Sequence, residues 1–332
     1  MLDKEEKPIM AFGVIADIQY ADAEDGTNFD KSAVRRYRNS LRVLDGAVAD
    51  WNAEKHSLDV IVQLGDIIDG MNWKLQSSTK ALDDVMQHFS KLQCDKVIHV
   101  IGNHELYNFD RGTLRDRLLK PWRQSHDYFS VSPVPGIKLV VIDSYDVSTI
   151  GATSEEYHSL ALEILKANNP NDTSKNGDWK HGLEGVEKRF VPYNGGVGNE
   201  LKLKWLEQEL AEAEEAGQVV IILSHISVHP ESCSQSCLVW NYQDLLQMFQ
   251  SSSCVVAVFS GHDHKGGYAV DEYGIHHVTV QSPLECLPES SAYGTVHVYQ
   301  DRLRLQGRGD VPSREMWFRS SKTHQHGKDA KH

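Results

Sequence analysis

Apolar and polar positions follow two registers along this chain. Largely apolar runs at 9–16, 60–64, 97–101, 138–142, 219–223 and 254–259 have the composition and shortness of strands, and a run like 60–64 reads as one buried on both faces. Between them the apolar positions recur with helical spacing. Tyr37, Leu41, Leu44, Val48 and Trp51 fall at alternating steps of four and three, and Leu82, Val85, Met86, Phe89 and Leu92 form a second such face. Further helices are expected near 114–122, 157–167, 201–216 and 242–249, and another strand at 128–131. Strand, helix, strand, helix, strand at the start implies right-handed crossovers and a parallel sheet. The trailing runs at 268–270, 276–280, 295–299 and 303–306 read as antiparallel strands joined by short turns. One α/β domain over 9–319 is expected, with a polar, disordered tail at 320–332. Residues 144–198 are the least patterned part. They read as a loop-rich insertion, either a cap over a site or a surface excursion.

Composition narrows the function. With 332 residues and 40% hydrophobic content the chain can bury a sizeable core. Its 34 basic residues against 47 acidic ones give a net charge of −13, which disfavours nucleic acid or an anionic membrane as partner. A phosphorylated small molecule stays compatible if divalent cations supply the local positive charge. Five cysteines, an odd number spread widely, fit reduced thiols. The first eight residues are charged and hold no apolar segment of the signal-peptide kind. A cytoplasmic monomer is the expectation.

The chemistry sits where the apolar runs stop. Successive strand ends supply Asp17 and Gln19, Asp66, Asn103 and His104, His225, and then His262 and His264. Open α/β sheets place ligands at the carboxyl ends of their strands. In extended backbone, residues i and i+2 point the same way, so Asp17/Gln19 and His262/His264 would each face one cavity. Carboxylate and amide oxygens mixed with imidazole nitrogens suit Mn, Fe or Zn, and no thiolate takes part. Two ions about 4 Å apart need a carboxylate between them, and Asp66 is placed for that role. Capping the next helix is the plainer role for an Asp at that position, and packing that for a lone buried His. Five such strand ends in succession outweigh both.

The blocks Asp-x-Gln, Gly-Asp-x-x-Asp, Gly-Asn-His-Glu, Ser-His and Gly-His-x-His resemble those of the calcineurin-like metallophosphoesterases, over about 12–264. The resemblance implies a four-layer αββα sandwich with a dinuclear metal site at the carboxyl ends of the strands. It implies one ion on Asp17, Gln19, Asp66 and His264, and a second on Asp66, Asn103, His225 and His262, with His104 near the leaving group. The family usually has His where this chain has Gln19. A neutral amide oxygen at that position weakens the preference for Zn or Fe and favours Mn²⁺, with Zn, Fe and Mg as alternatives. Gln19, together with Gly-Val-Ile-Ala-Asp-Ile-Gln-Tyr, Gly-Asn-His-Glu-Leu-Tyr-Asn-Phe and Gly-Thr-Val-His-Val-Tyr, is similar to one subgroup, the manganese-dependent ADP-ribose/CDP-alcohol diphosphatases.

That similarity implies a small nucleoside diphosphate ester as substrate, including CDP-choline, CDP-ethanolamine and CDP-glycerol. The expected reaction splits the phosphoric anhydride by in-line attack of a hydroxide held between two ions. Within the fold the rivals are a protein phosphatase, which usually carries an Arg after Gly-Asp-x-x-Asp where this chain has Gly70-Met71-Asn72, and a cyclic-nucleotide phosphodiesterase. A metal-free scaffold is the rival of another class. Phe29, an aromatic in a polar loop, is a candidate base-stacking residue or a packing one. Glu105 is a candidate acceptor that orients His104 or a ligand. His225, His229, Cys233 and Cys237 recur every fourth residue, but Pro230 breaks that pattern and no structural zinc is expected.

Overall fold

The computed structural model describes residues 6–28, 31–122, 126–175, 177–198 and 201–319. Phe29 and the 320–332 segment lie outside the described residues. Two six-stranded mixed sheets face each other. The first runs Arg314–Trp317, Arg302–Gly309, Ala292–Val298, Met10–Ile15, Val60–Gln63, Val97–His99. The second runs Gly267–Val270, His276–Thr279, Val255–Ser260, Val219–Leu223, Ile137–Val141, Phe129–Val134. Phe12 and Phe259, both fully buried, meet between the sheets edge to face with ring centroids 5.7 Å apart.

The apolar runs are strands for the reason their composition suggested. Met10–Ile15, Val60–Gln63 and Val255–Ser260 are buried at every position, because each sheet has helices on one face and the other sheet on the other. Helix Asn39–Asn52 turns Val43, Leu44, Ala47, Val48 and Trp51 inward. The Trp51 indole N–H donates to Gly294 O at 3.1 Å, pinning that helix to the first sheet. On the second sheet, helix Leu201–Glu215 buries Leu206 and Leu210, and helix Tyr242–Ser251 buries Leu245 and Phe249.

Two expectations need correction, and one strand had not been expected. The trailing strands are not one antiparallel set. Ala292–Val298, Arg302–Gly309 and Arg314–Trp317 extend the first sheet antiparallel. His276–Thr279 instead joins the second sheet, parallel to Val255–Ser260. The Arg314–Trp317 strand had no clear apolar signal, since only Met316 on it is buried. The helix expected near 114–122 divides into a turn of α-helix at Arg111–Leu114, a π-helical turn at Arg115–Leu119 and a 3-10 turn at Lys120–Trp122. Among the described residues, no helix is long and apolar enough to cross a membrane.

The 144–198 insertion is closed at its neck by a short antiparallel pair, Val147–Ser148 with Gly195–Gly196. Helix Glu155–Asn168 starts on a Ser154 side-chain cap that accepts from the Tyr157 N–H. Ala161 and Leu165 pack it onto a small cluster with Phe190 and Trp240.

Candidate metal centre

Five parallel strands stop at one place, and the turns that leave them converge. His225 Nδ1 lies 2.7 Å from Leu64 O, joining the ends of the two sheets. The His262 N–H donates to Asp17 Oδ2 at 2.9 Å, and the His104 N–H to Asp66 Oδ1 at 2.8 Å. Glycines permit this crowding. A Cβ at Gly102 would overlap Asp66 Oδ1, and one at Gly65, whose φ is +99°, would overlap the His225 ring.

All seven residues expected as ligands come together. Single ligand atoms of Asp66, His225 and His262 lie within 4.8 Å of one another. His225 Nε2 is 3.4 Å from Asp66 Oδ2 and 3.3 Å from Asn103 Oδ1, and His262 Nδ1 is 3.2 Å from His225 Nε2. On the other side of Asp66, His264 Nε2 is 3.8 Å from Asp17 Oδ1. Gln19 Nε2 lies 3.0 Å from Asp66 Oδ2 and 2.8 Å from His264 Nε2. The extended geometry expected for Asp17/Gln19 and His262/His264 is wrong. Asp17, Gln19 and His262 have φ of +50°, +43° and +70°, and Asp66 has +59°. Left-handed turns, not a pleated strand, aim these side chains inward.

The donor set asks for cations. Asp17 Oδ1 and Gln19 Oε1 are buried with no hydrogen-bond partner, an arrangement that costs free energy unless a ligand completes it. Gln19 turns its amide nitrogen toward Asp66 and His264, the reverse of a metal-binding pose; a half-turn about Cγ–Cδ exchanges it for the orphaned oxygen. Burial pushes the Asp17 carboxyl up to about 6, partly opposed by His225 and His264. Burial would raise Asp66 too, but His225 and His104 outweigh it and hold that carboxyl far below the usual range. Burial lowers His225, but Asp66 beside it wins and lifts the ring to about 9. His262 is driven well down by burial and by His225. Carboxylates and imidazoles thus compete for protons where two ions would replace them.

His104 stands at the rim. The Gly70 N–H donates to its Nδ1 at 2.7 Å, so Nε2 carries the hydrogen, 3.9 Å from Asp66 Oδ2. Burial lowers its pKa, and with Nδ1 accepting from Gly70 the ring presents its Nε2–H as a donor. Glu105 does not orient His104. Its carboxylate accepts the backbone N–H groups of Asp66 at 2.7 Å, Ile67 at 2.6 Å and Gly102 at 2.9 Å, fixing the turn that carries Asp66.

A cavity of about 400 Å³ opens over the ligands, walled partly by Trp179, Lys180 and Tyr193 of the insertion. Part of that segment therefore lines the cavity. Arg35 also lines the cavity, its Nη1 3.8 Å from Asp69 Oδ2 and its Nε 3.8 Å from Glu285 Oε1. The sequence reading missed it: a guanidinium does reach the cavity, from the Val34–Arg35 strand and not from the Gly-Asp-x-x-Asp block. No local pattern marks Arg35, Tyr145 or Glu285. Asn194 sits in Asn-Gly-Gly, which signals only a turn.

Two facing sheets whose parallel strands end in clustered carboxylates, amides and imidazoles have the make-up of a dimetal phosphohydrolase. The chain belongs to the calcineurin-like phosphoesterase family, whose profile matches residues 10–266. Among its relatives is the manganese-dependent ADP-ribose/CDP-alcohol diphosphatase of Bos taurus, 42% identical over 326 residues, covering 94% of this chain and 95% of that protein. The protein of the same name from Arabidopsis thaliana is 42% identical over 302 residues, covering 91% of this chain and 94% of that one. A crystal structure of a dimetal phosphatase from Danio rerio superposes with a TM-score of 0.89 at 37% identity, covering 94% of this chain and all of that one.

Proposed function

We propose that this chain is a manganese-dependent diphosphatase that splits the phosphoric anhydride of ADP-ribose and of CDP-alcohols into a nucleoside monophosphate and a phosphorylated remainder. The convergence of all seven candidate ligands around Asp66, with Asp17 Oδ1 and Gln19 Oε1 left unpartnered, carries the reading. Near full-length relatives of that name supply the substrate class.

Asp17, Gln19, Asp66 and His264 would hold one ion, and Asp66, Asn103, His225 and His262 the other. When bound, such a pair lowers the pKa of water and polarises phosphoryl oxygens. The chain does the rest. The His104 Nε2–H faces the cavity and stabilises charge on the departing phosphate oxygen by hydrogen bonding. Arg35, held beside Asp69 and Glu285, presents a guanidinium to the second phosphate. The insertion wall covers the site and limits access of water to the anhydride. Acting as a monomer is part of the proposal; the net charge supports a small-molecule substrate with neither nucleic acid nor membrane as partner, and the free cysteines support the cytoplasm.

The test is product identification after incubation with Mn²⁺ and ADP-ribose, CDP-choline, CDP-ethanolamine, CDP-glycerol, a phosphopeptide or cyclic AMP. Nucleoside monophosphate from the first four is expected. In a His104→Ala arm, kcat should fall by about 10²-fold with Mn²⁺ still bound. Faster dephosphorylation of the phosphopeptide contradicts the proposal.

A further inference from the structure

The His262 ring is held from both edges. Its Nδ1 faces the ligand cluster, 3.2 Å from His225 Nε2, and its Nε2 lies 2.7 Å from Asn194 Oδ1. Asn194 is fully buried and comes from the 144–198 insertion, one residue before the strand pair that closes the neck. Its amide can face only one way. Nδ2 donates to the carbonyl oxygens of Arg189 at 2.8 Å, Ser236 at 2.9 Å and Leu238 at 3.3 Å. Turning the amide over would set its oxygen against three carbonyl oxygens in a buried site, with no donor among them. Oδ1 is therefore the atom that meets His262. An acceptor there requires the hydrogen on His262 Nε2, which leaves the Nδ1 lone pair aimed at the cluster.

We infer that Asn194 is a positioning residue for the metal centre: the insertion reaches into it and fixes His262 in the Nε2–H tautomer, with Nδ1 presented to the ion shared with Asn103 and His225. This rests on the two-ion reading of the site. The other two imidazoles are set by partners from outside the insertion, Leu64 O at 2.7 Å from His225 Nδ1 and Glu285 Oε1 at 2.7 Å from His264 Nδ1. A second tie leaves the same turn. The Tyr145 hydroxyl lies 3.3 Å from Tyr193 O and donates to Asn103 Oδ1 at 3.0 Å. The insertion is thus fastened to the ligands of one ion.

Two substitutions separate this role from plain loop support. Asn194→Ala gives up the Nδ2 bonds to three carbonyls. Asn194→Asp gives them up and also sets a second oxygen against those carbonyls, so plain loop support predicts the larger loss in Asn194→Asp, which alone keeps an oxygen acceptor for His262. Nitrogen–proton imidazole spectra of the metal-free full chain at pH 8 report the tautomer, with the His262 signal identified by its loss in His262→Gln. Mn²⁺ dissociation constants follow from electron paramagnetic resonance titration. Wild type and Asn194→Asp should show His262 protonated at Nε2, and Asn194→Ala a mixture with the Nδ1–H form. One Mn²⁺ should bind roughly 10- to 100-fold more weakly to Asn194→Ala, and within about threefold of wild type to Asn194→Asp. An Nδ1–H ring in wild type, equal losses in both variants, or unchanged Mn²⁺ affinity in Asn194→Ala overturns the inference. If either variant does not fold, the wild-type tautomer and the other variant decide. Wild type binding fewer than two Mn²⁺ sinks the two-ion reading instead, and the metal-free spectra still judge Asn194.

Discussion

Asp17, Gln19, Asp66 and His262 hold left-handed backbone conformations that L-residues avoid, at a cost of about 1–3 kcal/mol each. Glycine would remove the strain, but each position needs its side chain. The cost is offset by hydrogen bonds that admit no other backbone path, such as the three N–H groups gathered by Glu105. Gln19 gives the sharpest prediction at this scale. With the amide oxygen turned inward, the ion proposed there would have His264 as its one nitrogen ligand, which would favour Mn²⁺ over Zn²⁺. Titrating Mn²⁺, Mg²⁺ and Zn²⁺ into metal-stripped wild type and Gln19→His should show tighter Zn²⁺ binding and a smaller Mn²⁺ advantage in the variant. An unchanged metal profile would remove Gln19 from the site. Residues at strand ends were legible because a sharp apolar-to-polar break marks them. Arg35, Asn194 and Tyr145 were not, because a tertiary contact gives each its role and no periodicity encodes it.

At the scale of elements, a buried ionic cluster holds the Arg111–Leu114 turn, the end of strand Ile137–Val141 and the insertion together. The Arg111 guanidinium bonds Asp127, reaches Asp143 at 2.9 Å and donates to Tyr145 O at 2.9 Å. Lys202 bridges Asp143 at 3.2 Å and Asp146 at 2.6 Å, and Asp146 accepts from the Gly198 N–H at the far end of the insertion. Burial would raise Asp143, yet Arg111 and Lys202 prevail and keep it at about 2. Asp143 therefore stays charged through the neutral range and needs its partners. Arg111→Ala should destabilise the fold by up to about 3–5 kcal/mol, read from urea unfolding, because two buried carboxylates each lose one of two cations, Asp143 keeping Lys202 and Asp127 keeping Arg115. A loss under about 1 kcal/mol would show the cluster to be solvated. Helix Leu201–Glu215 and strand Ile137–Val141 around this cluster were readable from spacing, and the broken helical turns at 111–122 were not. Strand direction in the tail was not, since pairing partners far apart in sequence decide whether His276–Thr279 runs parallel.

Across the whole molecule, two sheets meet so that five parallel strands end at one point, and a dimetal site needs just such a meeting. The first sheet brings Asp17, Gln19, Asp66 and Asn103, and the second His225, His262 and His264. Neither sheet carries a complete set, so the site exists only when both are packed. The central claim is that Asp66 lies between two divalent ions. The most direct measurement is an anomalous difference map from crystals soaked in Mn²⁺, recorded at the manganese edge. Two peaks about 4 Å apart are predicted, one beside Asp17, Gln19 and His264 and the other beside Asn103, His225 and His262, with Asp66 touching both. A single peak, or two peaks that do not share Asp66, would contradict the account.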